Sequence, residues 1–262
     1  MSAALAVGVV AAVIVPVMAL LWYRQLGTRE ADVVDLAWTA GLGAAAVFFA
    51  AAVPAGVGWR RWMVAAMAGL WSARLAAHLV ARVRTPGEDG RYRDLRTKWG
   101  RTAPAKFFVF FQAQAALVVV LSVHFLLAMR SPDPSFRAVD LLGLVAWIVS
   151  VAGESIADRQ LERFRNAPGN EGRVCTTGLW RYSRHPNYFF EWLHWLAYVP
   201  IAYGSAPLWA ILFAPVLLLL SIRFITGIPP IERRSVERRG DAYRRYQRTT
   251  SAFIPWFPKG GE

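Results

Sequence analysis

The chain is short of several things that a soluble enzyme normally has. Cysteine occurs once, at Cys175, among 262 residues. That excludes an internal disulfide and a cysteine-rich zinc site. Charged residues make up 18% of the chain, where soluble globular proteins carry about 25%. Acids are the scarcer sign, with 17 Asp+Glu against 30 Lys+Arg and a net charge of +13. No GxGxxG follows a strand pattern, so the sequence offers no Rossmann cofactor site. His78 and His124 have no His/Glu set at ligand spacing, so they read as cavity or packing residues and not as metal ligands. No internal repeat, Gly/Ser linker or low-complexity tract divides the chain.

What is present is apolar and aromatic. Apolar residues reach 56%, with 12 Trp, 15 Phe and 8 Tyr. This composition excludes a disordered chain and points to a membrane protein. A bilayer core of roughly 30 Å needs about 20 mostly apolar residues per helix. Seven stretches qualify: about Ala3–Tyr23, Val33–Val53, Trp62–Leu79, Phe107–Met129, Val139–Ile156, Tyr188–Tyr203 and Leu208–Ile225. The first has no basic segment before it and no small-residue cleavage site, so it reads as a retained helix.

Basic residues set the expected topology. Arg82, Arg84, Arg91, Arg93, Arg96, Lys98, Arg101 and Lys106 follow the third stretch. Arg159, Arg163, Arg165, Arg173, Arg181 and Arg184 follow the fifth, and the tail carries seven arginines and Lys259. The alternate loops hold only Arg60, Arg61, Arg130 and Arg137. An excess of Lys and Arg marks cytoplasmic segments. The expectation is an all-α, polytopic membrane protein with seven transmembrane helices, its N-terminus outside and its C-terminus cytoplasmic. It forms a single membrane domain over residues 1–262, with cytoplasmic loops at about 84–106 and 157–187 and a tail at about 226–262. Basic residues interleaved with membrane spans exclude nucleic acid as the reason for the charge.

Polar groups inside a membrane face the bundle interior or a wet cavity, because exposing them to lipid is costly. Four clusters stand out on the basic side. In GEDGRYRDLRTKWG, from Gly87, the arginines suit either lipid headgroups or a phosphate clamp, and Arg82, Arg84, Arg91 and Arg93 could act together. In GESIADRQLERFR, from Gly153, Glu154, Asp158 and Arg165 are four and seven residues apart and share one helix face. That face is either self-satisfied by ion pairs or turned toward a ligand. In TTGLWRYSRHPNYFFEWLHW, from Thr176, Arg181, Tyr182, Arg184 and His185 crowd a helix start at Pro186, a natural anion site. Asn187, Glu191, His194 and Trp195 then form one stripe, where Glu191 either serves a ligand or braces the helix. In the tail, RRGDAYRRYQRTTSAFIPWFP, Tyr243, Tyr246 and Arg248 could close over a site or lie on the membrane surface. Asp35 and Trp38, early in the second stretch, and Arg74, in the third, could serve function or pair as a structural bridge.

These motifs resemble the steroid 5-alpha-reductase C-terminal-domain superfamily, most of all its bacterial integral-membrane branch. The resemblance is carried by DLAW at Asp35, GEDGRYRDLR at Gly87, ADRQLERFR at Ala157, GLWRYSRHPNYFFEW at Gly178 and YRRYQRTTSAFIPWFP at Tyr243. It implies a seven-helix membrane protein that binds NADPH from the cytosolic side. It also implies reduction of a carbon–carbon double bond conjugated to a carbonyl in an apolar, lipid-like substrate that enters from the bilayer. By position, Asp158, Arg165, Asn187 and Glu191 match residues that hold the cofactor. Arg82 and Arg84 match paired arginines, and Arg173 and Arg223 have counterparts. The cofactor-binding set is then Arg82, Arg84, Asp158, Arg165, Arg173, Tyr182, Arg184, His185, Asn187, Glu191, Arg223 and Tyr246, with no metal. Asp35 stands in for the acid near the substrate carbonyl, where, protonated, it or a neighbouring donor would stabilise the oxyanion. Glu154 occupies the family's Asn position, and its tyrosine position falls near Leu70 or Trp71. The resemblance implies an oxidoreductase of the bacterial inner membrane. Two alternatives stay open: an S-adenosylmethionine-dependent methyltransferase of the isoprenylcysteine type, which shares the RHPNY element, and a non-catalytic lipid-binding protein. S-adenosylmethionine has no phosphate for so many arginines, whereas NADPH has three.

Overall fold

The computed structural model describes residues 1–54, 56–83 and 87–259, apart from the side chains of 81–83. Every element among them is helical. Six stretches are long and apolar enough to cross a bilayer: α1 (Ala3–Thr28), α2 (Val33–Ala52), α3 (Gly58–Val83), the run Gly90–Met129, α6 (Ala138–Asn166) and the run Leu208–Arg239. Gly90–Met129 divides into a short polar α4 (Gly90–Trp99) and a long apolar α5 (Ala103–Met129). In the last run the apolar part is α9 (Leu208–Leu220) and a π turn (Ser221–Ile225). The polar α10 (Ile228–Arg239) and α11 (Asp241–Thr249) follow. The chain is thus a multi-pass helical membrane protein.

The expected span at Tyr188–Tyr203 is two pieces, α7 (Pro186–Leu196) of 11 residues and α8 (Tyr198–Ala202) of 5. At 1.5 Å per residue, α7 covers only about 16 Å. The break follows from Pro200, whose ring cannot donate to the carbonyl of Leu196 and crowds it. The chain turns at Ala197, whose N–H is shared between the carbonyls of Leu193 and His194. A second difference lies in α6. Its apolar stretch ends near Ile156, yet the helix continues ten residues further, carrying Asp158 and Arg165 on the same rod as Glu154.

The described chain divides into two compact units. The first holds Met1–Ser135 with Ile201–Ile211; the second holds Phe136–Pro200 with Leu212–Glu262.

In the first unit, α1 starts at Ser2, whose hydroxyl accepts the amide of Leu5, and ends on Arg29 in the left-handed region. Helices α2 and α3 approach closely because Gly43 has no side chain. A Cβ there would lie 2.4 Å from the Ser72 hydroxyl oxygen. That hydroxyl instead donates to the Thr39 carbonyl at 2.9 Å. Small residues at such contacts let membrane helices gain dispersion energy where no hydrophobic drive separates helix from lipid. On α5, Phe107, Phe111, Ala115, Val118, Leu121 and Phe125 recur at three and four residues and are all buried. Far along the unit, fully buried Arg60 donates to the carbonyls of Ser131, Asp133 and Ser135 at 3.3, 2.6 and 2.9 Å. Those bonds offset the cost of burying a guanidinium.

In the second unit, α6 begins at a buried Asp140. Its carboxylate accepts both the Arg137 amide and the Arg137 side chain. Helices α6 and α7 meet at Gly153, where a Cβ would sit 2.4 Å from the Phe190 ring.

Candidate functional site

In the first unit, the polar groups collect where α4 lies over the ends of α1 and α2. Asp89 starts α4, accepting the Arg91 amide at 2.8 Å. Glu88 receives Arg96 through two bonds, at 2.7 and 3.1 Å, and Arg96 also donates to Gln25 at the end of α1. Asp35, in the first turn of α2, accepts on both oxygens. Arg91 Nη2 reaches Oδ2 at 2.7 Å and the Tyr92 hydroxyl reaches Oδ1 at 2.7 Å. The Tyr92 ring is buried edge-on against Phe110 and tilted against Phe107. Asp35 and Arg91 keep about a quarter and a third of their side-chain surface open, at 26% and 30%.

Asp35 thus meets a guanidinium on one oxygen and a phenol on the other. The donors beside it are Arg91 and Tyr92. Its cation comes from Arg91 on α4. The tyrosine that the resemblance would place near Leu70 or Trp71 is absent there: Leu70 is exposed and Trp71 is fully buried, edge-on to Trp38. Tyr92, 57 residues from Asp35 in sequence, supplies a phenol to the acid. Arg84 and the Arg82 side chain lie outside the described residues.

In the second unit, the segment 178–185 lies across α6 and is held under the tail. The Trp180 indole donates to the Ala157 carbonyl at 2.9 Å, and the Leu179 amide donates to the Gln160 side chain. These two bonds straddle Asp158. Along α6 the polar stripe opens progressively: Glu154 is buried, Asp158 half-buried and Arg165 exposed. Asn187 and Glu191 are half-buried on α7, and Glu191 accepts the Trp195 indole at 3.1 Å. Arg173 and Arg223 are exposed, and Tyr182 is half-buried.

Three residues expected to hold a cofactor are occupied otherwise. Arg184 Nε donates to Glu232 at 2.6 Å, and its Nη1 donates to the carbonyls of Gln247 and Thr250. His185 is 3.2 Å from the same Glu232 oxygen, and Gln247 donates to the other. The Tyr246 hydroxyl donates to the carbonyls of Trp180 and Ser183. With Ser183 Oγ on the Phe253 carbonyl and the Trp256 amide on the Tyr182 carbonyl, these bonds lace the helix-start segment to the tail. Arg184, His185 and Tyr246 thus tie the segment to the tail.

The electrostatics follow from burial. Burial alone would raise the Glu232 carboxyl, but hydrogen bonds from His185 and Arg184 outweigh it and hold the group at about 2. Burial lowers His185 below its ordinary value despite Glu232 beside it. Burial pushes Tyr243 up to about 12 and raises Tyr246 further, so both phenols stay protonated donors. Burial also raises the Cys175 thiol, against hydrogen bonds with Thr177. Glu232 was missed in the sequence, although an Arg-His pair ahead of a helix-start proline calls for an acid and Glu232 stands among arginines. Among the described residues no group of His, Cys, Asp and Glu could hold a metal ion.

Fold and site define a class first: a multi-pass helical membrane protein with acid–arginine networks around its helix ends. Within that class the chain belongs to the family described as protein of unknown function (DUF1295), which matches residues 21–250. It is similar to a protein of Schizosaccharomyces pombe named Uncharacterized protein C594.04c, at 26% identity over 206 residues and 68% of this chain. The chain spans 59% of that relative's length. No solved structure matches it.

Proposed function

We propose that this chain is an NADPH-dependent membrane reductase that delivers a hydride to the carbon–carbon double bond of a lipid-like enone, whether steroid, isoprenoid or fatty acyl. The observation that carries this reading is that Asp158 on α6 and Asn187 and Glu191 on α7 are each half-buried, on two helices that meet at Gly153 and Phe190, beside a segment locked by bonds to Ala157 and Gln160.

The donor set fits a phosphorylated dinucleotide. Exposed Arg165, Arg173 and Arg223 offer planar, multidentate partners for phosphates. Asp158 and Glu191 accept from sugar hydroxyls or a carboxamide, and Asn187 both donates and accepts. Arg82 and Arg84 join this set in the proposal, whereas Arg184, His185 and Tyr246 act by holding the helix start in place. NADPH, when bound, supplies the hydride.

Asp35 is the catalytic residue of this reading, with Arg91 and Tyr92 beside it. Negative charge builds on the substrate's carbonyl oxygen as its alkene is reduced. Arg91 and the Tyr92 hydroxyl are the donors for that charge; Asp35 holds both beforehand, and the phenol turns its one proton from Asp35 to the substrate oxygen on binding. A placed donor of this kind is worth about 10² to 10³ in rate. Buried Phe107 and half-buried Phe110 pack against the Tyr92 ring.

The finer topology belongs to the same proposal. The broken α7–α8 segment serves as a sixth crossing buried in protein, where non-helical backbone is tolerated. Seven crossings then leave the N-terminus outside and the basic tail in the cytoplasm of a bacterial inner membrane.

The test is a pair of variants in purified, folded protein. Asn187→Ala and Glu191→Ala are each expected to weaken NADPH binding at least tenfold. Unchanged affinity in both rejects the assigned cofactor site. NADPH oxidation on adding a lipid extract from a deletion strain, yielding a product two hydrogens heavier, would identify the substrate.

A further inference from the structure

One cavity in the second unit is lined by none of the residues that the proposed function places on cofactor or substrate. It is a cleft of about 610 Å³ between the Thr176–Arg181 segment and α11. Arg181 and Arg245 line it from opposite walls, with Thr176 and Thr250 alongside. No carboxylate appears among its described lining residues. Both arginines are exposed, and neither is needed to hold the walls. The walls are fixed by other groups. Tyr246 bonds to the Trp180 and Ser183 carbonyls, Arg184 bonds to Gln247, Thr250 and Ser251, and the Lys259 amide donates to the Thr249 carbonyl.

We propose that this cleft is a binding site for a phosphate-bearing anion. Two arginines line one space whose walls are already ordered, so binding orders few new backbone groups. Arginine presents planar, paired donors that match phosphate oxygens, and the threonine hydroxyls can add single donors. The cleft size lies in the ordinary range for small-ligand sites, roughly 300–1,000 Å³. It holds a nucleotide-sized phosphate ester or a phospholipid headgroup. The site stands apart from the reductase reading, since it uses neither Asp158 nor Asn187 nor Glu191.

The experiment uses the full chain in a neutral detergent. Two probes are titrated by calorimetry, sodium pyrophosphate as a soluble phosphate and dihexanoyl phosphatidate as a headgroup. The proteins are wild type, Arg245→Gln alone, and Arg181→Gln with Arg245→Gln. At least one probe is expected to bind wild type. Its affinity is expected to fall about threefold or more in the single variant and tenfold or more in the double, with the unfolding midpoint unchanged. The probe that binds more tightly names the source, soluble ester or lipid. Equal affinity in wild type and double variant, or no binding of either probe at millimolar concentration, overturns the proposal. NADPH titrated into the same double variant separates the two readings. Loss of pyrophosphate binding with intact NADPH binding keeps both sites, while NADPH loss confined to the Asn187 and Glu191 variants bears on the cofactor site alone.

Discussion

The two units use the same chemical device for different ends. Each sets an acid against an arginine and a second donor. In the first unit Asp35 meets Arg91 and Tyr92, with 26% and 30% of the acid and arginine side chains open. In the second, Glu232 meets Arg184 and His185, with the pair only 16% and 10% open. The closed network also directs Arg184 Nη1 to two main-chain carbonyls. The open one keeps a guanidinium edge and a phenol beside solvent-accessible carboxylate. Saturation turns an ion pair into a brace, and partial exposure leaves it able to act on something else.

Breaking the closed network should cost the most stability. Glu232→Ala strands Arg184 in a mostly buried position, and such a loss costs about 3 kcal/mol. The readout is the chemical or thermal unfolding midpoint in detergent. Asp35→Asn in the open network should shift that midpoint little, by about 1 kcal/mol or less. If the two variants destabilise equally, the contrast between brace and open site is lost.

Activity should show the reverse order. Tyr92→Phe is expected to lower enone reduction by about 10² with NADPH affinity unchanged, because it removes a donor to the developing oxyanion. A Tyr92→Phe enzyme with full activity removes the phenol from the account. Between these lies packing: Gly153→Ala places a methyl into the Phe190 ring and should cost about 1–3 kcal/mol by overpacking. A neutral Gly153→Ala would mean that α6 and α7 can separate freely.

The smallest expected effect is on pH. Glu232 stands at about 2 when folded, below its ordinary 4.5, so its contribution is full above pH 4.5 and is lost as pH falls toward 2. His185 lies below its ordinary 6.5, so the unfolded chain takes the proton first and stability also declines below pH 6.5. Both slopes have one sign. The unfolding midpoint should fall below about pH 6.5 through His185 and further between pH 4.5 and about 2 through Glu232, and Glu232→Gln should flatten that second part. A midpoint that rises on acidification contradicts both assignments.

Much of the fold was legible because a bilayer imposes a length. Windows of apolar residues locate α1, α2, α3, α5, α6 and α9 to within several residues. The extension of α6 past Ile156 was not legible from hydropathy, because it continues on polar pairs after the apolar run ends. The break before α8 was marked by Pro200 yet hidden inside an apolar stretch. The site was half legible. The stripe on α6 and the Asn187–Glu191 spacing came from helical period alone. The donors on Asp35 and the acid on Arg184 did not, since Tyr92 lies 57 residues from Asp35 and Glu232 lies 48 from Arg184. Contacts of that range leave no periodic trace. A buried charged group says only that a partner exists.

The measurement that bears most directly on the central claim is calorimetric titration of the purified chain with NADPH and, separately, NADH. The account expects NADPH to bind, and to bind more tightly than NADH because arginines receive the extra phosphate. If neither nucleotide binds at millimolar concentration to folded protein, the reductase reading is contradicted.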